Sequence, residues 1–219
     1  MKLISVQTAR AIWLADISAM NPKGKSFGRE LFKWMEETYQ FAKVPSSPLD
    51  LDDSTKSLAF LFGRFKVGND FVAVELRIYN DGFAANTQSS TDDSEAFLKE
   101  ALNATVKKFS LSFETDIIKR KLYFSELNIR CERPLTALNP KLKNIATKIS
   151  SLAGVQKESS FDLCGLSFWH DPKISSPLSL FRFEKKANTP ASENSYFSCA
   201  PLKTEDHISV LNDLEKLLA

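Results

Sequence analysis

Apolar and polar positions alternate most regularly over residues 71–79. Val72, Val74, Leu76 and Ile78 take one side, and Glu75, Arg77 and Tyr79 take the other. A strand with one buried and one largely wet face is the signature of an antiparallel sheet. Residues 58–67 read as the strand before it, joined through the short glycine-containing connection Gly68-Asn69-Asp70, which suits a hairpin. Asn80-Asp81-Gly82 turns the chain again, and 83–87 supply a third strand. The period then lengthens over 89–109. Ser89, Ser90 and Thr91 are followed by Asp92, Asp93 and Glu95, and apolar residues recur at Phe97, Leu98, Ala101, Leu102, Val106 and Phe109. Hydroxyls and acids ahead of a helical stripe mark a capped, amphipathic helix.

Ahead of this meander, 3–6 and 11–17 are strand material, one long strand bent near Thr8. Asn21-Pro22-Lys23-Gly24-Lys25 is a turn, and a helix is expected from Ser26. Its predicted buried face carries Phe27, Leu31, Trp34, Met35, Thr38 and Phe41, with Phe32 and Tyr39 off that face. Pro45 and Pro48 forbid its continuation. After the meander the order starts again. Residues 119–131 form a strand, and Asn139-Pro140 opens a helix with a cap and a proline at the first helical position. Leu142, Ile145, Ala146, Ile149, Leu152 and Ala153 make the stripe it should bury, and Gly154 ends it. Three strands at 161–169, 178–184 and 196–199 follow. Thr204-Glu205-Asp206 then caps a last helix with Ile208, Leu211, Leu214, Leu217 and Leu218 on its apolar side.

The expected fold class is therefore α+β: antiparallel β-meanders flanked by helices, with the helices mainly on one face of the sheet. The unit of strand, helix, three strands and helix occurs twice at an offset of about 113 residues, which places Ser26 on Asn139 and Thr91 on Thr204. This predicts an internal duplication, with halves at 1–112 and 113–219. At the level of element order alone, the repeat resembles duplicated saddle-like sheets such as the TATA-binding-protein fold. That resemblance carries no functional residues.

Composition narrows the classes of function. The chain has 219 residues, 43 % hydrophobic and 26 % charged, enough to bury a sizeable core. The formal net charge of +2 supplies no global pull toward nucleic acid or membrane. Cys131, Cys164 and Cys199 are widely spaced and show neither metal-ligand spacing nor a secreted framework, so a reducing cytoplasmic setting is expected. No stretch approaches the roughly 18 apolar residues of a membrane span, and no membrane partner is expected. Glycine is scarce at 7 residues, which counts against phosphate-cradling loops. Phenylalanine is abundant at 17, which predicts a core of packed aromatics or a sticky face.

Four groups of residues could carry chemistry. The segment from Ala19 to Ser26 resembles a relaxed Walker A loop, and Gly24, Lys25 and Ser26 are its candidate phosphate- and magnesium-binding residues. It lacks the first glycine, Pro22 removes a backbone donor, and the meanders predict an antiparallel sheet where such enzymes build a parallel one. Cys164 and His170 lie six residues apart on one strand, too far to touch, and His207 reads as a surface residue. Asp50, Asp52 and Asp53 lack the spacing of a calcium loop. The region 107–148 is locally basic. Lys119, Arg120, Lys121, Lys141 and Lys148 are its candidate contacts to nucleic acid, split between faces so that binding should be weak and sequence-independent. With no complete catalytic constellation and no cofactor implied, the sequence reads as a non-enzymatic interaction module or subunit that binds a protein partner or itself. Phe32, Tyr39, Phe71 and Tyr79, aromatics off the predicted buried faces, are its candidate contact residues.

Overall fold

The computed structural model describes residues 1–22, 24, 28–112, 117–154, 161–169 and 179–218. In chain order its elements are β1 (Lys2–Ala15), α1 (Gly28–Tyr39), β2 (Leu58–Val67), β3 (Asp70–Tyr79), β4 (Gly82–Thr87), α2 (Thr91–Phe109), β5 (Ile118–Arg130), α3 (Pro140–Leu152), β6 (Gly165–Phe168), β7 (Phe181–Lys185), β8 (Ser195–Ala200) and α4 (Thr204–Leu218). The strands form one antiparallel sheet in the order β2-β3-β4-β1-β5-β8-β7-β6. This is the α+β class that the alternation and the capped helices predict. The chain divides into two compact units: Thr8–Ser125 with Leu202–Thr204, and Met1–Gln7 with Glu126–Pro201 and Glu205–Ala219. Both boundaries at the front fall inside long strands, β1 and β5, which run through each unit in turn.

In the Thr8–Ser125 unit, Gly68 takes φ +60° in the two-residue connection between the paired Val67 and Asp70, a conformation glycine adopts without steric cost. The registers then align Phe60, Leu76, Ala85 and Ala11 across four neighbouring strands, all buried. Ala85 belongs to β4, on which α2 packs, and Phe97, Leu98, Ala101 and Leu102 of that helix join Ala11 and Ala85 in the same core. The other face of these strands is mixed, with Ile12, Ala84 and Ala59 in register with Arg77, and it carries polar contacts. Arg10 Nε donates to Asn86 Oδ1 at 2.6 Å, and Arg77 donates to Thr55 Oγ1 at 2.9 Å. The predicted helix start is present as written: Ser90 Oγ accepts from the Asp93 N–H at 3.0 Å.

The face of α1 differs from the expectation. Phe32, Met35 and Tyr39 are the buried residues, Leu31 and Trp34 are half-buried, and Thr38 is exposed. The two stripes overlap and share Met35. Aromatic packing selects the second: Phe32 meets Phe60 edge-on at 5.6 Å, and Tyr39 meets Phe97 at 5.1 Å. Such edge-to-face pairs add to plain area burial. Residues 25–27, including the expected start at Ser26 and Phe27, lie outside the described residues. A register shift between Phe60 and Gly63 turns Phe62 outward and brings Gly63 beneath the Phe41 ring.

In the other unit Leu127 and Ile129 of β5, Phe183, Tyr196 and the α4 residues Leu211, Leu214 and Leu218 make a second core with Cys131 and Leu135. Phe183 and Tyr196 stack at 4.6 Å, and the Tyr196 hydroxyl accepts from the Leu135 N–H at 2.9 Å. α4 therefore buries Leu211, Leu214 and Leu218 of its predicted apolar side and leaves Leu217 exposed.

Candidate functional site

The third helix starts as its sequence requires. Asn139 Oδ1 accepts from the Lys141 N–H at 3.1 Å, with Pro140 at the first helical position. Its stripe, however, goes inward only in part. Leu142 and Ala146 are half-buried and Ser150 is buried, so the helix seats on its fold through that side. Ser150 Oγ donates to the Ala146 carbonyl at 2.9 Å and accepts the Phe161 N–H at 2.8 Å, which anchors this side. Ile145, Ile149 and Leu152, expected in the core, are 56 %, 43 % and 79 % exposed. At 100° per residue these three lie within about 60° of arc, and Lys141 and Lys148 fall along one flank of it. Both lysines are exposed. The helix carries three lysines and no carboxylate.

The other sequence candidates land as follows. Phe32 and Tyr39 are corrected from exposed contacts to core residues, 5 % and 4 % exposed. The Tyr39 hydroxyl donates to Glu100 Oε2 at 2.6 Å, and burial with this acceptor pushes its pKa well up. Phe71 is exposed and Tyr79 half-buried, both on β3. Lys119 and Arg120 are exposed on β5. Lys121 is engaged: Nζ donates to Glu95 Oε1 at 2.6 Å and lies 4.4 Å from the Trp13 ring centroid. Glu95 also accepts from the Tyr123 hydroxyl at 2.7 Å and faces Lys203 at 3.6 Å. Its pKa is lowered: burial opposes the ionised form, and the bonds from Lys121 and Tyr123 outweigh it. This ionic cluster at the start of α2 is satisfied from within.

Of the Walker-like segment, Lys25 and Ser26 lie outside the described residues. Gly24 takes φ +58°, and its N–H donates to the Asn21 carbonyl at 3.0 Å, closing a turn. Asp50 and Asp52 are spent on their own loop. Asp50 accepts from the Ser46 N–H and hydroxyl, and Asp52 from Ser54 and Thr55, which holds both carboxyls below their usual range. Among the described residues, no three His, Cys, Asp or Glu side chains gather as a metal site.

His207 is corrected from the surface to complete burial. It lies in the first turn of α4, edge-on to Phe181 at 5.7 Å, with Nε2 2.8 Å from Ser198 Oγ. The Ser198 hydroxyl donates to the Arg182 carbonyl at 2.8 Å, so it accepts from His207 and the imidazole carries its proton on Nε2. Burial lowers the His207 pKa to about 4. A serine and a histidine at this distance resemble a nucleophile and base, but both are fully buried and the hydroxyl hydrogen points to a backbone carbonyl. His170, the other histidine, lies outside the described residues, and Cys164 is exposed. All three thiols are free, and burial raises the Cys131 pKa to about 11.

Compared with known proteins, the chain matches no family model and no curated sequence. No helix among the described residues is long and apolar enough to cross a membrane.

Proposed function

We propose that the protein is a non-enzymatic interaction module, a subunit of a cytoplasmic assembly, which docks a protein partner through the outer side of α3. The observation that carries this reading is the exposure of Ile145, Ile149 and Leu152 on a helix whose sequence is patterned to bury them. Apolar side chains grouped on a surface and bordered by charge mark binding faces. The partner offers an apolar groove with carboxylates along one edge, opposite Lys141 and Lys148. Two copies of a face flanked by Lys141 and Lys148, on a helix without a carboxylate, repel each other, which favours a different protein over a second copy. Three free thiols support a reducing compartment.

The module is built, on this reading, from a duplicated unit. Matching β1–β4 to β5–β8 makes the strand order read the same from either edge of the sheet. Thr91 and Thr204 begin α2 and α4 at a separation of 113 residues, the offset found in the sequence, and cap each other: each N–H donates to the other's Oγ1, at 3.0 and 2.9 Å.

Light scattering on eluting fractions, followed by capture from source lysate, tests the docking reading. Ile149→Asp with Leu152→Asp should abolish a complex that Lys141→Glu with Lys148→Glu weakens and makes less sensitive to salt. A chain that stays monomeric and captures nothing the apolar double variant loses refutes it.

A further inference from the structure

Protein interiors pack like molecular crystals, with few voids larger than a water molecule. The Thr8–Ser125 unit departs from this with a cavity of about 260 Å³ between α1, α2 and the sheet. Buried Phe32, Met35, Phe60, Leu76 and Leu98 make its floor. Half-exposed Asn21, Leu31 and Thr105 stand at its edge, so it communicates with solvent. Among the described residues its lining contains no Asp, Glu, Lys, Arg or His. Asn21 and Thr105 are its polar side chains, and both belong to the half-exposed edge.

We infer that this cavity is a binding site for a small, uncharged, mainly hydrocarbon molecule. The lining decides the class. A phosphate or carboxylate drawn into it would lose water and meet no cation, a cost that excludes charged groups from apolar interiors. Size decides the scale. An apolar cavity of about 150 Å³ takes benzene, so this one takes two fused rings or a chain of roughly eight to ten carbons. Met20 and Met35 line it, and flexible thioethers accommodate ligands of differing shape. A hydroxyl or carbonyl on the ligand would lie at the edge, beside Thr105. Ligand sites of this kind are concave and apolar with a few polar groups for orientation. The inference stands on the first core and does not depend on α3.

Fluorescence titration of the full chain with 1-aminonaphthalene, an uncharged two-ring probe of the size the cavity takes, tests it, with 1-octanol and octanoate as competitors. The expected result is saturable binding of one probe per chain. 1-Octanol should displace it at several-fold lower concentration than octanoate at pH 8. Ala101→Leu places a larger side chain in the cavity from a buried position on α2. It should keep or raise the melting temperature while weakening probe binding at least tenfold. Thr105→Phe, at a half-exposed position that accepts bulk without repacking the core, should close the edge with the same loss. Ile149→Asp, on the docking helix, should leave probe binding unchanged, which keeps this test separate from that of the docking reading. No saturable signal, a signal that persists in both filled variants, or equal potency of octanoate overturns the assignment.

Discussion

The burial of His207 predicts a specific acid sensitivity. The imidazole is fully buried, donates from Nε2 to Ser198, and has its pKa lowered to about 4. In the unfolded chain a histidine titrates near 6.5. Between those two values the unfolded chain binds a proton that the folded chain refuses, so stability rises with pH across that window. The contribution is complete above about pH 6.5 and is lost as pH falls through 4, amounting to about 3 kcal/mol. The position of His207 in the first turn of α4, at the positive end of the helix dipole, acts in the same direction. Urea unfolding of the wild-type chain and of His207→Gln, from pH 7.5 to 4.5, measures it. Subtracting the two curves cancels the carboxylates and His170, which both proteins share. The difference should shift in favour of the variant by most of that amount as pH drops, with unchanged m-values. Curves that stay parallel within about 0.5 kcal/mol would refute the burial argument.

Other substitutions test the packing. A Cβ at Gly63 would lie 2.5 Å from the Phe41 ring, so Gly63→Ala should destabilise by about 1–3 kcal/mol in denaturant unfolding, and Phe41→Leu in the same chain should recover part of the loss. Thr91→Ala and Thr204→Ala should each cost about 1 kcal/mol by removing one reciprocal cap. The double variant should cost less than the sum, because losing either bond loosens the other. Labelled single-stranded oligonucleotide should bind weakly and release at physiological salt by fluorescence anisotropy, since Lys121 is already committed to Glu95; retention abolished by Lys141→Glu with Lys148→Glu would contradict this.

Much of the fold was legible from periodicity because its elements obey local rules. The alternation over β3, the two-residue Gly68-Asn69 hairpin and the caps at Ser90 and Asn139 each follow from short-range sterics and hydrogen bonding. What periodicity cannot carry is the identity of the surface opposite. In α1 two apolar stripes share Met35, and the choice between them came from Phe60 on β2, distant in sequence. In α3 the sequence shows an apolar stripe, but only the three-dimensional arrangement reveals that Ser150 sits inward and Ile149 outward. His207 follows two acids in the first turn of a helix, a context typical of a surface residue; its burial depends on a hydroxyl nine residues earlier on β8. The cavity had no signature in the sequence at all, because a void is a property of how side chains from three strands and two helices fail to meet.

Site-specific photo-crosslinking in source cells puts the docking reading to the most direct test. The full chain would carry benzoylphenylalanine at Leu152 on the outer side of α3, or at Glu37 on the exposed side of α1. The account predicts one discrete crosslinked protein from position 152, lost when Ile149→Asp is added and absent from position 37. No adduct at 152, or the same adducts from both positions regardless of Ile149→Asp, would contradict it.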